Sequence, residues 1–229
     1  MELHSIRGGT KEDLETRKYN IGIGISLGNR WFTVENIIGL IRWALPRARE
    51  NVIVYVADSI HAINIEVRKE VSHKRALEIA NQMGTEILSK VKEEAEKVLS
   101  SEDTVKLRYV KWDEIADKAY KEKTKYLYAL YDVDETFRET LRSIVRDFVS
   151  KEPLKFKEKE IDRLAHYIIE ELPEQITRVQ MAGMSCNAFA YPYDGAISEL
   201  AEDIWNDKKF PNIKEKILDT EPKVFLEVR

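Results

Sequence analysis

Two short and densely apolar runs, Tyr19 to Ile25 and Asn51 to Ala57, flank a segment whose apolar residues recur at helical spacing. In the first run, Tyr-Asn-Ile-Gly-Ile-Gly-Ile, hydrophobic residues are too dense for a strand with one wet face, so it reads as a strand buried on both sides. Trp31, Val34, Ile37, Ile38, Ile41 and Leu45 then line one side of a helix that Pro46 ends. Asp58 and Ser59 open a polar loop, and a second helix starts at Ser72 or His73 and runs to about Leu99, with Gly84 as its weak point. Val105 to Trp112 alternates like a third strand.

Strand, helix, strand, helix, strand is the order of a parallel sheet with right-handed crossovers. The expected fold is an α/β, Rossmann-like three-layer sandwich with a mostly parallel central sheet, whose ligands bind at the carboxyl ends of the strands. Three helical segments follow, roughly 112–132, 135–150 and 157–178, the last after the break at Pro153, and together they make a helical half. Cys186 to Tyr191 returns as a strand, Ile197 to Trp205 is a helix, and Lys223 to Val228 reads as a final strand. Met1 to Lys18 is polar and reads as an N-terminal extension of one catalytic domain spanning 1–229. No linker, repeat or low-complexity stretch divides it.

Composition narrows the partners. With 229 residues, 43% of them hydrophobic, the chain can bury one continuous core. Lys and Arg total 37 against 41 Asp and Glu, so a nucleic-acid partner must meet a local patch; no DNA partner is expected. The single cysteine, Cys186, cannot close an intramolecular disulfide, and no charged-then-apolar leader opens the chain, which makes the cytoplasm the expected compartment. No run approaches the roughly 18 consecutive apolar residues of a membrane span.

The turn after the first strand admits three chemistries. Gly22, Gly24 and Gly28 give G-x-G-x-x-x-G, one residue longer than the dinucleotide fingerprint, with Asp58 placed as a ribose acid. Gly24-Ile25-Ser26-Leu27-Gly28 fits G-x-S-x-G, the elbow of serine hydrolases, for which His166 is the one downstream base among His4, His61, His73 and His166. The third reading draws on residues across the chain: Ser26 with Asn29, Tyr167 and Glu171 within Tyr-Ile-Ile-Glu-Glu-Leu-Pro, and Tyr191-Pro192 just beyond a short strand.

That set, with its intervals, resembles the tRNA-dependent cyclodipeptide synthases over roughly Ile21 to Phe210. Members of that family look like the catalytic domain of class I tyrosyl- and tryptophanyl-tRNA synthetases without activating amino acids by ATP, and neither ATP-site motif of those synthetases is present here. The resemblance implies that Ser26 attacks one aminoacyl-tRNA ester and holds the acyl group. A second aminoacyl-tRNA then extends it to a dipeptidyl-enzyme, and cyclisation releases a diketopiperazine. Both esters arrive activated, so no cofactor, ATP or metal is expected. Two aminoacyl-tRNAs are the expected partners, and a monomer the expected state.

Within the same resemblance, Glu171 pairs with the substrate α-amino group and Tyr167 hydrogen-bonds it; the two stand four residues apart, on one helical face. Tyr191 aligns the serine or an acyl oxygen, and Asn29 braces the loop. The family divides into an Asn-Tyr-His group and a group with proline after the tyrosine. Asn29 fits the first and Tyr191-Pro192 the second, and the reading leans to the proline group. A substrate side-chain pocket is expected between Gly24 and the second strand, lined by Val54 and Val56, with Pro192 beside it. Acceptor-stem phosphates are expected on Lys74, Arg75, Lys90 and Lys92 of the helix after the second strand, and on the stripe Arg138, Arg142, Arg146. The alternatives kept open are a G-x-S-x-G serine hydrolase and a non-catalytic tRNA-binding module.

Overall fold

The computed structural model describes residues 1–181, 183–193, 195–217 and 223–229. In chain order the strands are β1 (Leu3–Arg7), β2 (Ile21–Ile25), β3 (Val52–Val56), β4 (Leu107–Lys111), β5 (Val179–Met181), β6 (Met184–Cys186), β7 (Ala188–Tyr191) and β8 (Val224–Val228). The helices of the first half are α1 (Lys11–Glu15), α2 (Val34–Ala44), α3 (Asp58–Lys69), α4 (His73–Val98) and α5 (Ser101–Thr104). Those of the second are α6 (Trp112–Ile115), α7 (Lys118–Val133), α8 (Glu135–Val149), α9 (Glu158–Ile176), α10 (Ala196–Trp205) and α11 (Pro211–Ile217).

Six strands form the central sheet in the order β1-β8-β7-β2-β3-β4, parallel throughout except for β1, while β5 and β6 pair as a separate hairpin. The expected mostly parallel α/β sheet is therefore present, with β2 near its middle. Strand periodicity gives β2 and β3 two different faces. Ile21, Ile23 and Ile25 join Val52, Val54 and Val56 in one apolar cluster that reaches α2 and α4. Ile53 and Tyr55 belong to a second cluster on the opposite face, with Cys186 and Phe189. A third cluster, from Leu127 through Leu141, Ile169 and Ile204, holds α7 to α11 together as the helical half.

Several boundaries differ from the periodicity reading for local physical reasons. The segment 1–18 is not a loose extension: β1 pairs antiparallel with β8, and Leu14 of α1 lies in the core at 2% exposure. An edge strand needs only alternate burial, and Ser5 bonds Glu227 on β8 at 2.9 Å, so its polar composition concealed it. The expected polar loop after Asp58 is helix α3, whose Ile60, Ile63 and Val67 repeat among charged neighbours. Helix α2 begins at Val34, not Trp31, because the Thr33 side chain caps it through Asn36 N. The segment 112–132 breaks where Asp117 caps α7, and the expected strand 186–191 divides at Asn187, which accepts from Asn20 N at 2.8 Å.

Gly84, the weak point of the long helix, is where α4 crosses Asp58: a Cβ there would lie 2.6 Å from the Asp58 Cβ. Among the described residues no helix is long and apolar enough to cross a membrane.

Candidate active site

Ser26 directly follows β2, at the end of the sheet where the parallel strands finish. The chain turns sharply there: Asn29 N donates to Ser26 O at 3.3 Å, Phe32 N to Asn29 O at 3.1 Å, and Gly28 takes φ +80. A side chain at Gly28 would be strained by that φ and would also touch His61 of α3. Asn29 spans the turn, its Oδ1 accepting from Trp31 N at 3.0 Å while its Nδ2 donates to the Tyr193 hydroxyl.

Because β7 runs parallel to β2, its last residue, Tyr191, arrives beside Ser26. From the opposite side α9 brings Tyr167 and, one turn later, Glu171. Both phenols lie close to Ser26. Burial, with Glu171 adding to it, holds the Tyr167 phenol well above its ordinary range; burial and Tyr193 do the same for Tyr191. Both stay protonated at neutral pH and can donate to an oxygen near Ser26.

Glu171 has no hydrogen-bond partner among the described residues, and burial, reinforced by nearby Glu174, pushes its carboxyl up to about 8. An arriving ammonium would favour the ionised form, so this carboxyl can take up a cation. Beneath it lies a pair that sequence reading missed. Glu174 is 1% exposed, accepts from Tyr55 Oη at 2.6 Å and pairs with Lys223, whose Nζ also donates to Glu174 O at 2.8 Å. Only the spacing of two glutamates along α9 hinted at it; the lysine comes from the far end of the chain.

Gly24 lies on this side of the sheet under two aromatic rings. A Cβ there would sit 2.7 Å from Phe189 Cε2 and 3.0 Å from the Tyr55 ring, so the two rings reach the backbone itself. Val54 and Val56 do not join it. In the parallel register Gly24 is opposite Tyr55, while Val54 and Val56 match Ile23 and Ile25 and lie fully buried on the other face. The side chains beside Gly24 are Tyr55 and Phe189, whose rings fill the space there, rather than Val54 and Val56. Pro192 is buried behind Tyr191.

On its other side Ser26 borders an open cleft of about 210 Å³, between Leu27, Asn29 and Phe32 of the turn and Met83, Glu86, Ile87 and Lys90 of α4. Lys90 is therefore at the site and Lys92 is exposed close by. Lys74 and Arg75 lie at the start of α4, about 24 Å from Lys90 along the axis by helical rise, and Arg75 pairs with Glu78 at 3.0 Å.

The arginine stripe is a carboxylate net. Arg142 meets Glu139, Glu158 and Asp162, Arg146 meets Glu139 at 3.2 Å and Glu158 at 2.8 Å, and Arg138 donates to Tyr131 O and Asp132 O. These residues tie α8 to α7 and α9, not to the serine. Asp58, placed as a ribose acid, accepts from Trp112 N at 3.1 Å. His166, the expected hydrolase base, is held by Arg163 at 3.3 Å and by the ring edges of Tyr128 and Tyr131, and does not contact Ser26. His61 is nearer the turn, and burial pushes it down to about 4, which keeps it neutral.

Comparison with known proteins follows the same lines. No curated protein matches the sequence. Solved structures match over nearly the whole chain at low identity, and so speak to the fold. A cyclodipeptide synthase from Bacillus thermoamylovorans is 19% identical with TM-score 0.73, covering 94% of this chain and 90% of its own. A Mycobacterium tuberculosis protein, whose structure relates cyclodipeptide synthetases to type I tRNA synthetases, is 18% identical with TM-score 0.64, covering 85% and 83%. The cyclodipeptide synthase of Candidatus Glomeribacter gigasporarum, solved bound to Phe-tRNAPhe, is 16% identical with TM-score 0.58, covering 92% and 88%. A family profile described as cyclodipeptide synthase matches residues 10–209, and with that span the chain belongs to the cyclodipeptide synthase family.

Proposed function

We propose that this protein joins two aminoacyl groups, each delivered by a tRNA, into a cyclic dipeptide through successive esters on Ser26. The observation that carries the reading is a serine hydroxyl near two protonated phenols, Tyr167 and Tyr191, beside a carboxyl, Glu171, that has no hydrogen-bond partner among the described residues. In the first step Ser26 Oγ attacks the ester carbonyl of one aminoacyl-tRNA. The C–O bond to the terminal ribose breaks, the ribose oxygen takes up the serine proton, and an aminoacyl-serine ester remains. Tyr191 donates to the acyl oxygen as it gains charge, and Asn29 holds the turn so that Oγ points at the carbonyl.

The α-ammonium of the bound group pairs with Glu171 and bonds Tyr167, which orients it and gives its proton a route away. Once neutral, that amine attacks the second aminoacyl-tRNA ester; a peptide bond forms and the second tRNA leaves. The new terminal amine then attacks the Ser26 ester, closing the six-membered ring and returning the hydroxyl. Each ester is consumed as its amide forms, so the scheme uses no ATP, metal ion or cofactor. Tyr55 and Phe189 pack onto the backbone of Gly24 beneath the site, while Lys90 brings positive charge to the open cleft where the tRNA end leaves. One chain holds every group named, so the acting unit is a monomer, working where charged tRNA is found, in the cytoplasm.

The test is mass spectrometry of medium from cells producing the chain beside its Ser26→Ala variant, with intact-protein masses for the ester. A diketopiperazine and an acyl adduct from the unmodified chain, both lost in the variant, are expected. Product that persists in Ser26→Ala would overturn the covalent route.

A further inference from the structure

Two chain segments meet over the nucleophile, the turn of Ser26 to Asn29 and the stretch that follows β7, and one side chain joins them. Tyr193, two residues past Tyr191, accepts a hydrogen bond from Asn29 Nδ2. The other end of that amide is already used, since Oδ1 accepts from Trp31 N at 3.0 Å. Asn29 therefore has both its polar groups committed, one within its own turn and one to Tyr193. The Tyr193 ring stands edge-on to Tyr191, with centroids 5.3 Å apart and planes at 80°. Its hydroxyl also lies close to Tyr191, as does Asn29.

Tyr191 is thus enclosed by three rings. Phe32 and Phe189 each lie 5.3 Å from it, and Tyr193 closes the remaining side. Phe32 and Phe189 are core residues at 8% and 6% exposure, whereas Tyr193 is 37% exposed. A large aromatic residue left that open contributes little to the core, yet here it contacts two groups that flank the serine.

We propose that Tyr193 is a positioning residue for the reaction at Ser26: by tying Asn29 to the segment after β7 it holds the Tyr191 hydroxyl against the nucleophile. The inference rests on the reading of Ser26 as the acylated residue. Without the Tyr193 hydroxyl, the Asn29 amide loses its cross-segment partner and the turn keeps only its local bond. Without the ring, Tyr191 gains solvent on one side and its hydroxyl can swing from Ser26. Either change slows acyl transfer with little effect on tRNA binding, because neither group lies on the α4 side of the cleft.

A double-mutant cycle tests this, with Tyr193→Phe, Asn29→Ala and the pair, and Tyr193→Ala to remove the ring as well. The probe is total tRNA charged with a mixture of radiolabelled amino acids. Single-turnover transfer of label to the protein gives the acylation rate, and filter binding gives tRNA affinity. The expected result is a roughly tenfold slower acylation in Tyr193→Phe, a larger loss in Tyr193→Ala, and tRNA affinity within about twofold of the unmodified chain. The pair should be no slower than the slower single variant, because one shared bond has been removed twice. Thermal unfolding should stay close to the parent for Tyr193→Phe, which separates this role from a structural one. Independent, multiplying effects of the two substitutions, or an unchanged rate in Tyr193→Phe, would overturn the inference alone. Label that never reaches the unmodified chain, or reaches Ser26→Ala equally, overturns the serine-ester reading and this inference with it.

Discussion

The two faces of the central sheet are made from the same strands and serve opposite ends. On one, Ile21, Ile23, Ile25, Val52, Val54 and Val56 meet only other hydrocarbon, and every one of them is at most 1% exposed. On the other, the alternate positions are Gly22, Gly24, Ile53 and Tyr55, and the space above them holds Glu174, Lys223, Glu171 and the phenols around Ser26. Burial of apolar surface stabilises the first face without direction. The second depends on a few polar groups, each of which must find its partner or stand ready for a substrate. Stability and chemistry are thereby assigned to alternate positions of one strand pair.

The contrast can be broken most severely at the buried ion pair. Lys223→Met should strand the Glu174 carboxylate and cost about 3–5 kcal/mol in chemical denaturation, whereas Lys223→Met with Glu174→Gln should recover much of that loss. Equal destabilisation by the single and double changes would mean that the pair is not the relevant unit. Next in size, Val54→Ala on the apolar face should cost about 2 kcal/mol of stability, yet leave acylation in the folded protein nearly unchanged. Gly24→Ala, one strand away but facing the rings, should cost about 1–3 kcal/mol as Phe189 and Tyr55 shift and should also cut acylation, which Val54→Ala does not. If the two variants changed both quantities in proportion, the division of labour between faces would fail.

A pH gradient sharpens the comparison further. The Glu171 carboxyl is raised to about 8 in the folded chain, so the folded state holds a proton that the unfolded state releases from about pH 4.5 upward. Stability should therefore fall as pH rises through that window to about 8. Glu171→Gln should remove this decline and gain about 1–2 kcal/mol at the alkaline end, allowing for the solvent that reaches the cleft. Urea titrations of both proteins from pH 5 to 9 would show it; parallel curves would contradict the assignment. The smallest effects belong to surface charge. Arg146→Ala should leave the unfolding midpoint and tRNA affinity nearly unchanged, while Lys90→Ala should weaken tRNA binding and reduce its salt slope by about 1.

The parts of this structure legible in the sequence are those set by local pattern. The two dense apolar runs gave β2 and β3, Pro46 bounded α2, and the glycine-flanked serine marked the turn between strand and helix. What stayed hidden depends on distant partners. The arginine spacing on α8 revealed a stripe, but Glu158 and Asp162, which neutralise it, come from α9. Val54 and Val56 looked available to Gly24 until the parallel register placed Tyr55 opposite it. Glu174 and Lys223 are 49 residues apart and read singly as an exposed helix charge and a polar strand end. Nothing local distinguishes them from the lysines and glutamates that do face water.

The strand order has a consequence for how this molecule comes to be active. The first strand pairs with the last, Ser5 against Glu227, and β8 must slide in between β1 and β7 before either edge is satisfied. During synthesis β1 waits, unpaired, until β8 has emerged, a long-range closure of the kind that slows folding. The same late strand carries Lys223 at its threshold, and until that ammonium arrives the Glu174 carboxylate below Glu171 has no counter-charge. An incompletely closed sheet would leave Glu171 and Glu174 facing each other without the Lys223 ammonium between strand and helix.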